Sequence, residues 1–149
     1  MYWWLLLIPL IGWALLALPS WRRPDVGLVE GHLRKCPTSP NCVCSEGESG
    51  DHAITPLEFR DPPEAAWARL VQVLEETPRS QIVTREEGYL HVEFVTPLMR
   101  YVDDIEFRLD GQQIHVRSAS RVGRSDLGAN RARVEKLRTA FATREAALP

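Results

Sequence analysis

Charge is missing from one end of this sequence. None of its 18 basic and 20 acidic side chains lies before Arg22. The remainder nearly balances, at a formal net charge of −2, which excludes a protein that wraps nucleic acid through bulk charge. Cysteine is scarce. Three in 149 residues exclude a disulfide-dense scaffold. No Gly-x-Ser-x-Gly, phosphate-binding loop or His-Glu-x-x-His occurs, so no familiar catalytic or cofactor motif opens the reading, and no cofactor is expected. Repeats and low-complexity tracts are also missing. What is present is a 44% hydrophobic composition, enough for one packed core, in a chain long enough for one domain plus appendages.

Tyr2 to Trp21 is a run of 20 uncharged residues rich in Leu and Ile. As a helix it would cover about 30 Å, the thickness of a bilayer core. Trp3 and Trp4 at one end and Trp21 at the other suit the two interfaces. Pro9 and Gly12 weaken a soluble helix but are tolerated in lipid. A cleaved signal peptide is the alternative. It needs a basic start and a small-x-small cleavage site, whereas only Met1-Tyr2 precedes the run and Pro19 sits in the cleavage zone. The expectation is therefore an uncleaved single-pass anchor over residues 1–21. Arg22 and Arg23 follow it and nothing basic precedes it, which by the positive-inside rule favours a cytoplasmic domain.

Residues 22–53 read as a tether and an irregular segment, punctuated by Pro24, Gly27, Gly31, Pro37, Pro40, Gly47 and Gly50. The globular domain is expected over 54–146. A short strand runs to Arg60. Asp61, Pro62 and Glu64 form a helix start with a capping box, and Trp67, Leu70, Val71 and Leu74 share one helical face up to Pro78. Residues 80–95 read as a hairpin around a three-residue loop, Glu86-Glu87-Gly88, which pairs Ile82 with Val92 and Thr84 with Leu90. Residues 101–120 read as a second hairpin turning at Asp110-Gly111. That register sets Ile105 opposite Val116, Phe107 opposite Ile114, Glu106 opposite His115, Asp104 opposite Arg117 and Asp103 opposite Ser118. A last helix starts near Leu127, capped by Ser125 or Asp126, with Leu127, Asn130, Val134, Leu137 and Phe141 on its inner face. The fold class is α+β: an antiparallel four- to five-stranded sheet with two helices on one face, in the order β-α-β-β-β-β-α.

Two stretches carry a family resemblance. One is Cys36-Pro37-Thr38-Ser39-Pro40-Asn41-Cys42-Val43. The other begins Tyr101-Val102-Asp103-Asp104-Ile105-Glu106-Phe107 and continues through Arg117-Ser118-Ala119-Ser120-Arg121-Val122-Gly123-Arg124-Ser125-Asp126-Leu127-Gly128 to Asn130, Arg131 and Arg133. Over residues 27–141 the chain resembles the family named domain of unknown function 1499. The resemblance implies an exported, often membrane-anchored bacterial protein, with no established activity. The sequence has Cys44 where that family usually shows Ser, and Arg124 where it often shows an aromatic residue.

An exported domain favours a disulfide between Cys36 and Cys42, whose turn allows the required approach. This argues against the positive-inside reading and for a periplasmic domain on the cytoplasmic membrane. Cys44 is left as a free thiol or an alternative partner for Cys36. Zinc held by Cys36, Cys42 and Cys44 with His32 or His52 is disfavoured, because the spacing lacks a C-x2-C knuckle.

The Arg-rich loop before the last helix is the sharpest candidate. Arg117, Ser120, Arg121, Ser125 and Arg131 run into a helix N-terminus, where an anion such as a lipid head group would be favoured. The competing reading is a buried polar clamp of Asp103, Arg121 and Asn130 that fixes the loop. His91 and His115 alternate away from the core face and read as solvated or ion-paired. No catalytic residue is assigned, and an enzyme is disfavoured. The functions weighed are thus an envelope domain that binds or scaffolds, through an anionic lipid; an interaction module for an envelope protein using the Cys36–Cys42 loop; and, third, a hydrolase or redox enzyme. Nucleic acid is not an expected partner.

Overall fold

The computed structural model describes residues 18–147. The expected anchor lies outside them except for its last four residues. Leu18–Trp21 forms a single 3-10 turn, and among the described residues no helix is long and apolar enough to cross a membrane.

The fold is α+β. Among the described residues six strands form one antiparallel sheet: β1 (Cys42–Cys44), β2 (Leu57–Glu58), β3 (Ser80–Glu86), β4 (Tyr89–Val95), β5 (Val102–Asp110) and β6 (Gln113–Ser120). Two helices, α1 (Pro63–Glu76) and α2 (Ala129–Ala146), pack on one face. The spatial order is β1-β6-β5-β4-β3, with β2 sharing the β6 edge with β1. The strand that sequence patterning missed is β1. Three residues in a Pro-punctuated segment are too short to show alternation, yet Cys42, Val43 and Cys44 pair with Ala119, Ser118 and Arg117. The segment over 22–53 therefore contributes to the sheet.

Both hairpins form, the β3–β4 loop one residue shorter and the β5–β6 turn one residue later than expected. In the β5–β6 hairpin Asp110 pairs with Gln113, so Gly111 and Gln112 make the loop, with Gly111 at φ +56°. The register moves by two residues. Phe107 faces Val116, Ile105 faces Ser118, Glu106 faces Arg117, Asp103 faces Ser120 and Asp104 faces Ala119. A shift of two preserves the faces, because side chains alternate with period two. In the β3–β4 hairpin Ile82 pairs with Val92 as expected. A bulge at Val83 then sets Thr84 opposite His91 and Arg85 opposite Leu90, and the loop shrinks to Glu87-Gly88.

Leu90, Val92 and Phe94 of β4, Ile105 and Phe107 of β5, and Ile114 and Val116 of β6 meet Leu70, Val71, Val73 and Leu74 of α1 and Val134, Leu137 and Phe141 of α2. The Asp61 carboxylate does not cap α1. It pairs with the guanidinium of Arg69, which is buried, lies 4.2 Å over the Phe141 ring and locks the two helices together. At the other helix Leu127 precedes the first turn and points outward, 97% exposed, so the inner face starts at Asn130. The Asp126 carboxylate accepts from the backbone N–H of Gly128 and of Asn130, serving the orphan donors of the first turn.

Candidate functional site

The sheet face opposite the helices is polar and yet buried. Alternation sends Tyr89, His91 and Glu93 of β4, Asp104, Glu106 and Arg108 of β5, and His115 and Arg117 of β6 to this side. The histidines here are expected to be solvated or ion-paired; His91 is ion-paired to Asp104, and the face is not open to solvent. Instead residues 20–33 and Glu46 cover the face, and the charges neutralise one another beneath them. His91 and Asp104 are each 2% exposed and Glu106 is fully buried.

The centre of this network is Arg121. Its Nε donates to Asp104 Oδ2 at 2.7 Å, and its Nη2 donates to Asp104 Oδ1 and Glu93 Oε1, each at 2.6 Å. Its Nη1 donates to the Ser20 carbonyl at 3.1 Å. His91 Nε2 lies 2.7 Å from Asp104 Oδ1. A carboxylate only accepts, so that nitrogen carries the proton. Burial pushes the Asp104 carboxyl up, but the hydrogen bonds from Arg121 and His91 outweigh it and hold it below the usual range. Glu93 follows the same balance, with Arg121 and Arg23 overcoming burial. Arg121 itself is lowered by burial and raised further by its two carboxylates.

Glu106 forms a second centre. It accepts from Tyr89 Oη at 2.8 Å, from the Gly27 N–H at 2.7 Å and from Arg117 Nη1 at 3.0 Å. Burial and this carboxylate together push the Tyr89 phenol well above its ordinary pKa. A third, around Glu46, engages Arg108 and the Leu33 N–H, with His32 and His115 within 4 Å. Burial pulls the His115 imidazole down, more than Glu46 raises it.

On the helix face Asn130 is the hub. Its Oδ1 accepts from Ser118 Oγ at 2.5 Å and Arg133 Nη1 at 3.0 Å. Its amide donates toward the Asn41 carbonyl, Ser120 Oγ and Asp126 at 2.8–3.0 Å. The Asn41 side chain in turn donates to the Gly123 carbonyl at 2.7 Å. Asp103 is held by Arg133, at 2.5 Å. The expected clamp thus changes one member. Asp103 and Asn130 meet through Arg133, one helical turn beyond Asn130, while Arg121 sits on the opposite face with Asp104. Asp103 and Asp104 are adjacent on a strand and face opposite ways, so one arginine cannot serve both.

The five residues of the expected anion site are not brought together. Arg117 is spent on Glu106 and Arg121 on Asp104 and Glu93, both beneath the covered face. Ser120 accepts from Asn130 on the helix side, and Ser125 Oγ accepts from the Leu127 N–H at 3.3 Å. Arg131 donates to the carbonyls of Asp51 and Ala53, at 2.9 and 2.7 Å, and pins that loop to α2. The residues that sequence reasoning missed are Arg133, Arg69, Glu46 and Asn41. Arg133 and Asn130 lie three apart on one helix, a spacing that places them on one face.

Cys36 and Cys42 form a disulfide, with Cα atoms 5.6 Å apart. That bond removes two ligands from the zinc set considered above. Cys44 is a buried free thiol packed with Leu33, Tyr89 and Cys36, and burial pushes its pKa up to about 11. It is therefore protonated and unreactive at neutral pH.

The disulfide loop and the Asp103–Asn130–Arg133 constellation coincide with the two sequence stretches singled out above. The family described as "Protein of unknown function (DUF1499)" matches residues 32–141. The chain belongs to this family. A comparison with curated proteins finds no match. Within this DUF1499 domain the two motif stretches are joined physically: Asn41, from the first, and Ser118, Ser120 and Asn130, from the second, share one hydrogen-bond network.

Proposed function

We propose that this DUF1499 protein is a membrane-tethered envelope domain that binds or scaffolds, carried on a single N-terminal anchor with its globular part in the periplasm. One observation carries the reading. The chain leaving the uncharged segment is built into the domain instead of trailing from it. Ser20 is fully buried, its Oγ accepts from the Val102 N–H at 3.3 Å, and its carbonyl accepts from Arg121. Trp21 Nε1 donates to the Arg100 carbonyl at 3.3 Å, and Gly27 donates to Glu106. A domain so fastened keeps one orientation to whatever residues 2–21 are embedded in. The Cys36–Cys42 disulfide supports the oxidising side of the membrane. His91 is too deeply covered to reach a substrate, which favours binding over catalysis.

The test is a count of thiols in acid-trapped cells, after denaturation and alkylation with a mass-shifting maleimide. The expected result is one reactive thiol without reductant and three with it, in a protein that resists carbonate extraction from membranes. Three thiols without reductant would overturn the periplasmic placement. Release by carbonate would overturn the anchor.

A further inference from the structure

The two ends of the sheet differ. One carries the tight turns Glu87-Gly88 and Gly111-Gln112. The other carries the β4–β5 loop, the loop from β6 to α2, and the 3-10 turn at Leu18–Trp21 where the chain emerges from its uncharged segment. These three pieces lie together. Trp21 bonds the Arg100 carbonyl in the β4–β5 loop, and Thr96 and Tyr101 at that loop's base share a cleft with Val122, Ser125 and Leu127.

This end presents the most exposed large apolar side chains of the described residues. Leu127 is 97% exposed, Leu98 is 85% exposed and Trp21 is 57% exposed. Each sits on a different piece of chain. Leu127 is also held at φ +53°, in the left-handed region that leucine seldom occupies. Strain kept to display an apolar side chain points to a use for it. Around these three stand Arg22, Arg100 and Arg124, all exposed and none in an ion pair among the described residues. The carboxylates nearby are spent: Glu93 on Arg121 and Arg23, Asp103 on Arg133, and Asp126 on backbone N–H groups.

We infer that this end is a lipid-docking surface: Leu98, Leu127 and Trp21 enter the interfacial layer of an anionic bilayer, and Arg22, Arg100 and Arg124 meet its head groups. The inference rests on the membrane-tethered reading and adds to it an orientation, with the sheet standing end-on to the membrane. The occupant follows from the chain. The uncharged residues 2–17 lie immediately before this end, so the surface they embed in is the surface it meets. Unpaired arginine beside exposed tryptophan and leucine is the chemistry of an anionic interface.

The test uses the full chain reconstituted into vesicles of phosphatidylcholine, with or without phosphatidylglycerol, containing doxyl-labelled lipid. An environment-sensitive fluorophore is placed at Leu98→Cys, Leu127→Cys or, on the far end of the sheet, Gln112→Cys. All three positions are exposed, so the core is untouched, and Cys44 stays unlabelled because it is buried. The expected result is at least about twofold stronger quenching at 98 and 127 than at 112 in phosphatidylglycerol vesicles. The contrast is expected to fall toward one when Arg100→Glu and Arg124→Glu are introduced, since each basic charge lost weakens the docking equilibrium roughly fivefold. Equal quenching at all three sites, in protein that still floats with the vesicles, would overturn the docking surface and leave the anchor standing. Unequal quenching that ignores phosphatidylglycerol and both arginines would overturn the role of charge. Protein that fails to float would overturn the tethered reading itself.

Discussion

Replacing Arg121 by alanine separates a structural arginine from a ligand-binding one. The side chain is 3% exposed and holds two carboxylates, of which Asp104 is also 3% exposed and Glu93 is 15% exposed. Removing the cation leaves Asp104 with one partner, His91, in a site closed to water. Breaking a buried pair from one side costs about 3–5 kcal/mol. With His91 still bonded and Glu93 reaching water and Arg23, the lower end applies, about 3 kcal/mol. For a domain of this size that lowers Tm by roughly 10 °C. The assay is urea and thermal unfolding of the full chain in detergent, followed by circular dichroism. Adding Asp104→Asn to Arg121→Ala removes the stranded charge, and the pair should recover at least about 1 kcal/mol relative to the single variant. A loss below about 1 kcal/mol for Arg121→Ala would refute the reasoning and return the arginine to the role of an anion ligand.

Four further outcomes follow from the same contacts. Asn130→Ala should cost about 2–3 kcal/mol, since it strands the Ser118 hydroxyl and takes one of two donors from the Asn41 carbonyl, which keeps the Ser120 N–H; a loss under 1 kcal/mol in the same unfolding assay would contradict the hub. Cys36→Ser, which opens a short loop, should cost about 2 kcal/mol by chain entropy, and an unchanged midpoint would speak against it. Native Cys44 should resist iodoacetamide at pH 8 and react on unfolding, because its pKa is pushed up to about 11. Stability should also fall in acid. Asp104, Glu93 and Asp126 have depressed folded pKa values, so their contribution is present above the unfolded values near 4 and is lost as pH drops through the folded ones. His115, also depressed, adds a smaller loss that begins near pH 6.5. A urea midpoint that is flat from pH 7 to pH 3 would contradict both.

The helices, the hairpins and the apolar face were legible because each rests on a local period. Ile105, Phe107, Val116 and Leu90 announce their side by alternation, and a register error of two residues leaves that side intact. The β5–β6 turn sits one residue later, and the β3–β4 loop is one residue shorter, than the pattern suggests, since Asp110 and Glu86 are compatible with either strand or loop. The polar face was not legible. A row of Asp, Glu, His and Arg on alternate strand positions reads as solvated or ion-paired, and only the fold brings residues 20–33 and Glu46 over it. The clamp was half legible. Asn130 and Asp103 are visible as core-side polar groups, but the arginine that joins them is Arg133 and not Arg121, because the strand's alternation and the helix's turn deliver it.

The strap formed by residues 20–27 has a mechanical consequence. Tension on the N-terminal segment does not enter this domain at a frayed end. It enters at β5, the middle strand, through the Ser20–Val102 and Ser20–Arg121 bonds, with Trp21–Arg100, Arg23–Glu93 and Gly27–Glu106 as the next links down the line. A steady pull loads β5 through those links and must part them before the strand itself can be drawn out of the sheet. The strap is thus placed as a fuse: its links stand between the N-terminal segment and the sheet, and opening them lengthens the leash by several residues and uncovers the charged layer.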